Sequence, residues 1–183
     1  MVKEPRPGRV KTRLAEAIGT VPAARWMRLQ LRDRLRALRD PRWQLILAIA
    51  PDTALRAAAW PPDLPAIPQG PGDLGQRMGR ILRSLPPGPV CIVGADIPAL
   101  RRAHVARAFA ALGSHDAVFG PAEDGGYWLI GLKRTAAVPA SLFRDVRWST
   151  RHALADTRAT LPGLRIAMVD RLRDVDTAAD LQR

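Results

Sequence analysis

Residues 90–98 read VCIVGADIP, an apolar run that ends in a glycine, an alanine and an aspartate. Its first positions are all apolar, which is typical of a strand buried on both faces of a sheet. Similar runs recur at residues 44–50, 116–120, 127–132 and 164–169. Helical patterns surround them, at residues 12–18, 23–39, 74–85, 101–112, 150–160 and 177–182. Such alternation predicts an α/β protein, a three-layer α/β/α sandwich with a mostly parallel sheet.

The length of 183 residues predicts a single domain that spans residues 1–183. Only MVK precedes the first loop, so the first strand is either very short or truncated. No apolar run is long enough to predict a membrane span or a signal peptide. The single cysteine, Cys91, falls inside an apolar run and is expected to be buried. These features together predict a cytoplasmic protein.

The net charge of +12 raises the question of a nucleic-acid partner. The basic residues, nearly all arginines, are however spread along the chain. A helix over residues 24–39 would bury one stripe, formed by Met27, Leu31, Leu35 and Leu38. A second stripe beside it contains Arg25, Arg28, Arg32, Arg36 and Arg39. We interpret the second stripe as a solvated face, with an interaction surface for anions as the alternative.

The loop EPRPGRVKTRL, residues 4–14, contains two prolines, one glycine and four basic residues. It is neither a Walker A motif nor a G-x-G-x-x-G motif. Gly8 permits close approach of the backbone to a ligand, and Lys11 and Arg13 can neutralise a diphosphate or a triphosphate. An ordinary surface loop with solvated charges explains the pattern equally well, so both interpretations stay open.

Asp96 follows the strand at residues 90–95, at the carboxyl end where α/β sheets bind ligands. A carboxylate at this place suits Mg²⁺ or Mn²⁺ that bridges substrate phosphates. The alternative is a cap for the helix that starts near residue 100. The position at the strand tip favours the metal.

The stretch GPAEDGGYWLIGL, residues 120–132, places Asp124 before the pair Gly125 and Gly126. Paired glycines allow a ligand to pass close to the main chain. A hairpin turn is the structural alternative, although Pro121 and the length of the segment argue weakly against a two-residue hairpin.

Six segments, taken in order, resemble the bacterial DUF2064 family, whose members are often labelled glycosyltransferase A-like. The segments are KEPRPGRVKTRLAEAIG, GDLGQRM, VGADIPAL, GPAEDGGYWLIGL, FRDVRWST and DVDTAADL. The resemblance implies a GT-A-like nucleotide-diphospho-sugar transferase fold, with more distant similarity to guanylyltransferases. The glycine-rich loop of the molybdenum-cofactor guanylyltransferases is absent. The D-x-D of many glycosyltransferases appears only as GAD.

The resemblance also implies roles for particular residues. Phosphate or nucleotide contacts are expected from Gly8, Lys11, Arg13, Gly75 and Arg77. The metal ligands would be Asp96 and Asp176. The acceptor or sugar would face Asp124, Gly125 and Gly126, and Trp148 adjoins a further candidate segment on that side. Asp124 and Asp96 are the predicted catalytic residues, with Asp124 orienting or deprotonating the acceptor.

The leading hypothesis is therefore a Mg²⁺- or Mn²⁺-dependent transferase that moves a glycosyl group from a nucleotide sugar to a small-molecule acceptor. A nucleotidyltransferase that uses an NTP and a phosphorylated small molecule is the second hypothesis. A nucleic-acid-binding module is a third and weaker one, because acidic strand tips oppose it. A non-catalytic nucleotide binder is a fourth. The oligomeric state and the identity of the acceptor are left open.

Overall fold

The structure, a computed structural model, describes residues 1–175. The contacts group the chain into two compact units. Unit 1 consists of Met1–Pro68, Gly94–Arg102 and, of the remaining described residues, 174–175. Unit 2 consists of Gln69–Val93 and Ala103–Arg173. The assignment of residues 1–183 to a single domain stays a prediction.

Unit 1 contains a three-stranded parallel sheet in the order β1-β2-β3. The strands are β1 (Val2–Lys3), β2 (Leu47–Ala50) and β3 (Ala66–Pro68). Two helices, α1 (Thr12–Ile18) and α2 (Thr20–Ala37), connect β1 to β2, and a short 3₁₀ turn covers Asp52–Ala54. The parallel register aligns Val2 with Ile49 and Leu47 with Ala66.

The core of unit 1 forms where α2 packs on this sheet. Leu31 and Leu35 join Val2, Leu47 and Ile49 in one buried cluster. The predicted stripe of Met27, Leu31, Leu35 and Leu38 is confirmed, since each of the four side chains is buried. The three- and four-residue spacing of apolar side chains along α2 thus determines which side of the helix faces the strands.

Unit 2 contains a four-stranded sheet in the order β4-β6-β5-β7. Its strands are β4 (Val90–Val93), β5 (Ala117–Pro121), β6 (Tyr127–Leu132) and β7 (Ile166–Met168). The helices are α3 (Leu74–Ser84), α5 (Ala153–Ala159) and, apart from its first residue, α4 (Arg102–Ala111). The two central strands carry fully buried side chains, such as Phe119 and Leu129.

The strand β6 runs antiparallel to both of its neighbours, β4 and β5. Only five residues connect β5 to β6, and a parallel crossover needs a dozen or more. The hairpin alternative for residues 120–132 is therefore the observed one, with a loop longer than two residues. Three of the five strand pairs in residues 1–175 are parallel, which agrees with a mostly parallel arrangement.

The α/β class is confirmed, and all five predicted strands are present; three of them are shorter than predicted, one is shifted by one residue and one has the predicted bounds. The strand β3 was not predicted, because prolines at positions 65 and 68 leave only two other residues between them. The predicted helix at residues 177–182 lies outside the described residues. No helix within residues 1–175 is both long enough and apolar enough to cross a membrane.

Candidate functional site

The loop between β1 and α1 continues the parallel sheet by one hydrogen bond and then turns away. The Glu4 amide donates to the Ala50 carbonyl at 2.8 Å, and Arg9 N–H closes a turn on the Arg6 carbonyl at 3.1 Å. Gly8 has a φ of 73°, and no described atom lies within 4 Å of the place that a Cβ would take. The loop is therefore open around Gly8, as the phosphate-binding interpretation requires.

Lys11 ends this loop, and its ammonium meets the predicted metal ligand. Nζ of Lys11 lies 2.7 Å from Oδ2 of Asp96, although the two residues are 85 positions apart. The Lys11 side chain is only 6% exposed, whereas the Asp96 side chain is 35% exposed. The structure thus brings together Lys11 and Asp96, which were predicted as ligand contacts from two separate segments of the sequence.

The backbone that carries Asp96 is held by α2 and by the end of the described chain. Arg34, on α2, donates from Nη1 to the Leu100 carbonyl at 2.8 Å and also to the Pro98 carbonyl. Burial and the nearby charge of Arg101 lower the pKa of Arg34. The Val175 amide donates to the Asp96 carbonyl at 3.3 Å. Since the next helix begins only at Arg102, Asp96 is not its cap.

The carboxylates around Asp96 determine whether a metal fits there. No three His, Cys, Asp or Glu side chains within residues 1–175 come together as a metal-binding group. Mg²⁺ needs only one or two protein carboxylates when substrate phosphates supply the other ligands. Asp96, partly exposed, fits that role, while the second predicted ligand, Asp176, lies outside the described residues. The described residues fit a metal that arrives with a diphosphate.

Acidic side chains neutralise part of the basic loop. Glu4 lies 2.7 Å from Nε of Arg6, and Asp96 pairs with Lys11. Arg9 and Arg13 are exposed, with Arg13 in the first turn of α1. The loop keeps an excess of positive charge, which favours an anionic ligand.

In unit 2, the loop between β5 and β6 carries three further predicted site residues. Oδ1 of Asp124 accepts a hydrogen bond from the Gly126 amide at 2.9 Å. Gly125 has a φ of 86°, and a Cβ there would lie 2.4 Å from the Arg151 carbonyl oxygen. The Leu154 amide of α5 donates to the Gly125 carbonyl at 3.2 Å. Gly125 therefore has a structural function, and the acceptor contact stays a prediction.

The predicted residues Gly75 and Trp148 touch each other in unit 2. A Cβ on Gly75 would lie 2.7 Å from the Trp148 ring and 2.7 Å from Cβ of Phe143. Asp73 and Gln76 form a capping box that starts α3 just before this contact. Trp148 is half-buried against a helix, so packing accounts for its position, and a sugar contact stays a prediction.

The segment that precedes α3 borders a cleft of about 540 Å³ lined by Pro71, Gly72, Gln76, Arg80 and Arg83. Arg80 holds this segment, because it donates to the Gln69 carbonyl at 2.7 Å and to the Pro71 carbonyl at 3.1 Å. The predicted nucleotide contact Arg77 lies on the same helix. It is half-buried, and its Nε is buried without a hydrogen-bond partner among the described residues.

A bidentate ion pair holds the segment that carries Trp148. Arg147 donates from Nε and Nη2 to the two carboxylate oxygens of Asp156, both at 2.8 Å. These bonds lower the pKa of Asp156 to about 2. Because the pKa of Asp156 is lower in the folded state than its unfolded value of about 3.9, the ionised carboxylate stabilises the folded state when the pH is above that value. This contribution is lost as the pH falls through about 2.

We therefore expect Asp156→Asn to be less stable than the wild type near neutral pH. The difference should shrink as the pH falls from about 4 to about 2, because protonation then removes the wild-type ion pair as well. Urea denaturation at a series of pH values measures this. A stability difference that is the same at every pH would contradict the assignment.

Two residues that hold candidate segments were missed by the sequence analysis, namely Arg34 and Arg80. Arg34 does not belong to the exposed arginine stripe of α2. Its position on another side of the helix was the sequence feature that could have identified it. No feature of the sequence distinguishes Arg80 from its neighbours. Cys91, which was expected to be buried, is half-buried. Its partial burial raises the pKa of the thiol to about 12 and disfavours a thiolate nucleophile.

Solved structures show similarity along nearly the whole chain. A candidate nucleotide-diphospho-sugar transferase from Desulfovibrio desulfuricans G20 is 31% identical to this chain, with a TM-score of 0.85. The match covers 98% of this chain and 81% of that one. The predicted nucleotide-diphospho-sugar transferase fold is thereby confirmed.

The second structure, Rv0371c from Mycobacterium tuberculosis H37Rv, is 17% identical with a TM-score of 0.55. The match covers 100% of this chain and 92% of that one, and at this identity it shows the fold alone. None of the curated proteins compared with the chain matches it.

A family model agrees with the resemblance seen in the motifs. Residues 32–150 match the model whose description reads "Uncharacterized protein conserved in bacteria (DUF2064)". The matched segment includes Asp96, Asp124 and Trp148. Because the match covers more than half of the sequence, the chain belongs to the DUF2064 family.

Proposed function

We propose that the protein is a metal-dependent transferase that uses a nucleotide sugar as donor and moves its glycosyl group to a small-molecule acceptor. One observation carries the proposal, the ion pair between Lys11 and Asp96 at 2.7 Å. It joins a cation from the loop after β1 to a carboxylate from the loop after β4. The similarity to a candidate nucleotide-diphospho-sugar transferase at 31% identity supports the choice of donor.

In this proposal the pair between Lys11 and Asp96 is a phosphate site in which the two charges neutralise each other until a phosphate binds. The nearly buried Lys11 ammonium is held in one place by the Asp96 carboxylate. A lysine ammonium binds phosphate as a point charge. When a diphosphate binds, Lys11 donates to a phosphate oxygen, and the phosphate charge takes over part of the role of Asp96.

During glycosyl transfer, negative charge develops on the oxygen of the departing nucleoside diphosphate. Lys11, fixed beside Asp96, stabilises that charge without reorganisation at the moment of reaction. A divalent metal held by Asp96 and the diphosphate oxygens would supply further stabilisation of the same charge. The hydrogen bond from Val175 to the Asp96 backbone and those from Arg34 keep the carboxylate in position.

Asp124 is the proposed general base for the acceptor. Its carboxylate is exposed, and Oδ1 is oriented by the Gly126 amide at 2.9 Å. An ionised carboxylate accepts several hydrogen bonds, so it keeps the capacity to bind an acceptor hydroxyl. Replacement of Asp124 by asparagine is expected to slow transfer without weakening donor binding, because Asp124 acts on the acceptor.

Thermal denaturation with nucleotide sugars and NTPs, each with Mg²⁺, Mn²⁺ or EDTA, tests the proposal. A ligand at about a hundred times its Kd stabilises the folded state by about 2.7 kcal/mol. We expect a nucleotide sugar to stabilise the wild type more than the matching NTP, and the metal to increase the effect. A larger effect from the NTP would favour nucleotidyl transfer instead.

Two aspartate variants make the test specific to Asp96. Asp96→Asn is expected to lose the metal-dependent part of the stabilisation. Asp63→Asn is the matched control, because Asp63 is also a partner in an ion pair of unit 1, with Arg39, but lies outside the candidate site. If no nucleotide stabilises the wild type at millimolar concentration, or if both variants respond like the wild type, the proposal is wrong.

A further inference from the structure

One side of α2 presents arginines and apolar side chains to solvent together. With about 100° between successive residues, positions separated by three, four, seven or eight share one side of a helix. The residues that share this side define the arginine face, which consists of Val21, Arg25, Arg28, Leu29, Arg32 and Arg36. All six are exposed, and they lie beside the buried stripe described above.

The charges of the arginine face are almost unopposed. In the described part of the chain, the side chains of Arg25, Arg32 and Arg36 form no hydrogen bond or ion pair. Arg28 donates one weak hydrogen bond to the Pro5 carbonyl at 3.3 Å. Asp33 is the sole carboxylate of α2; it lies three residues before Arg36, about 60° around the helix, but forms no ion pair with it in the described part of the chain.

The apolar members of the face distinguish it from a simple solvated stripe. Val21 is 64% exposed and Leu29 is 47% exposed. Residues 1–175 contain only four large apolar side chains with such exposure, and two of them lie on this face. Apolar side chains among arginines, on a helix about 27 Å long, have the composition of a surface that lies in a lipid headgroup layer.

We propose that the arginine face of α2 docks the protein on an anionic membrane surface. The arginines bind lipid phosphates, while Val21 and Leu29 enter the boundary between headgroups and acyl chains. Nucleic acid offers the same phosphate charge, but it gives the two apolar side chains nothing to bury against. The face also carries no aromatic side chain for stacking on bases. This docking is independent of the transferase proposal.

Vesicle flotation tests the docking without any enzyme assay. The probes are vesicles of phosphatidylcholine alone and vesicles in which about a third of the lipid is phosphatidylglycerol. We expect the wild type to bind the anionic vesicles at low salt, to ignore the neutral ones, and to dissociate at high salt.

Three variants separate the face from the overall charge. The triple variant Arg25→Gln, Arg32→Gln and Arg36→Gln should bind anionic vesicles about a hundredfold more weakly. The double variant Val21→Ser and Leu29→Ser should lose about tenfold. The matched control carries Arg56→Gln, Arg144→Gln and Arg158→Gln, three exposed arginines elsewhere, and it should bind like the wild type. All these positions are exposed, so thermal denaturation should show folded proteins.

Three outcomes would overturn the proposal. One is equal loss of binding in the two arginine triples, which would show that net charge alone attracts the protein. Another is no binding of the wild type to anionic vesicles at low salt. The last is binding to mixed-sequence DNA through the arginine face without binding to vesicles, which would assign the face to nucleic acid.

Discussion

Replacing Lys11 with methionine is expected to lower the affinity of the protein for a nucleoside diphosphate by about a hundredfold. The methionine side chain keeps most of the volume of lysine but lacks the ammonium. That ammonium is almost buried and lies 2.7 Å from Asp96, so its position is set before the ligand arrives. Hydrogen bonds to charged groups contribute about 1.5–3 kcal/mol, which corresponds to this loss. Titration calorimetry with UDP and GDP in the presence of Mg²⁺ measures it.

The matched control is Lys3→Met, which removes another lysine charge from unit 1 at an exposed position in β1. It should bind the nucleotides like the wild type. The affinity for Mn²⁺ in the absence of nucleotide is a second measurement, and its expected change has the opposite sign. Because Lys11 neutralises Asp96 in the free protein, Lys11→Met should bind Mn²⁺ more tightly than the wild type. Equal nucleotide affinities for both lysine variants would show that Lys11 does not contact phosphate.

The second large effect concerns Gly125, where an alanine should destabilise the fold by about 3 kcal/mol. Two costs add at this position. The φ of 86° is unfavourable for any residue with a Cβ, and the new methyl group would lie 2.4 Å from the Arg151 carbonyl oxygen. Neither the β5–β6 loop nor the start of α5 can yield through side-chain motion, because the contact is made by backbone atoms. Urea denaturation measures the change.

Gly163→Ala isolates the steric part of this cost. Gly163 has a similar φ of 77°, yet no described atom lies within 4 Å of its hypothetical Cβ. Its alanine variant should lose only about 1 kcal/mol, the cost of the left-handed backbone. Should the two variants be equally destabilised, the contact between Gly125 and Arg151 would have no energetic importance.

The features that the sequence predicted correctly are those with a local cause. The stripe of Met27, Leu31 and Leu35 follows from helical spacing alone, and the buried strands follow from apolar runs such as residues 127–132. The direction of β6 was left open between a hairpin and a ligand-binding loop, although the five-residue connection to β5 already excluded a parallel crossover. That information was local too, and only its interpretation was incomplete.

The features that escaped the sequence depend on distant residues. Each member of the pair between Lys11 and Asp96 could be proposed from its own segment, but 85 residues separate them and only the fold brings them together. The contact between Gly75 and Trp148 likewise could not be anticipated, because a ligand contact was predicted for each residue from its own segment. Arg34 was overlooked because an arginine on an arginine-rich helix looks like one more solvated charge.

Two arginines of α2 donate to backbone carbonyls in the segments that carry Lys11 and Asp96, and these contacts can couple ligand binding to membrane binding. Arg34 reaches the turn that follows Asp96, and Arg28 reaches Pro5 in the loop that ends at Lys11. Both arginines belong to the helix that presents the arginine face. If membrane binding changes the affinity of the proposed diphosphate site through α2, then nucleotide binding must change the affinity for the membrane by the same factor. A donor nucleotide that tightened vesicle attachment would then itself be held more tightly on the vesicle, by the same factor.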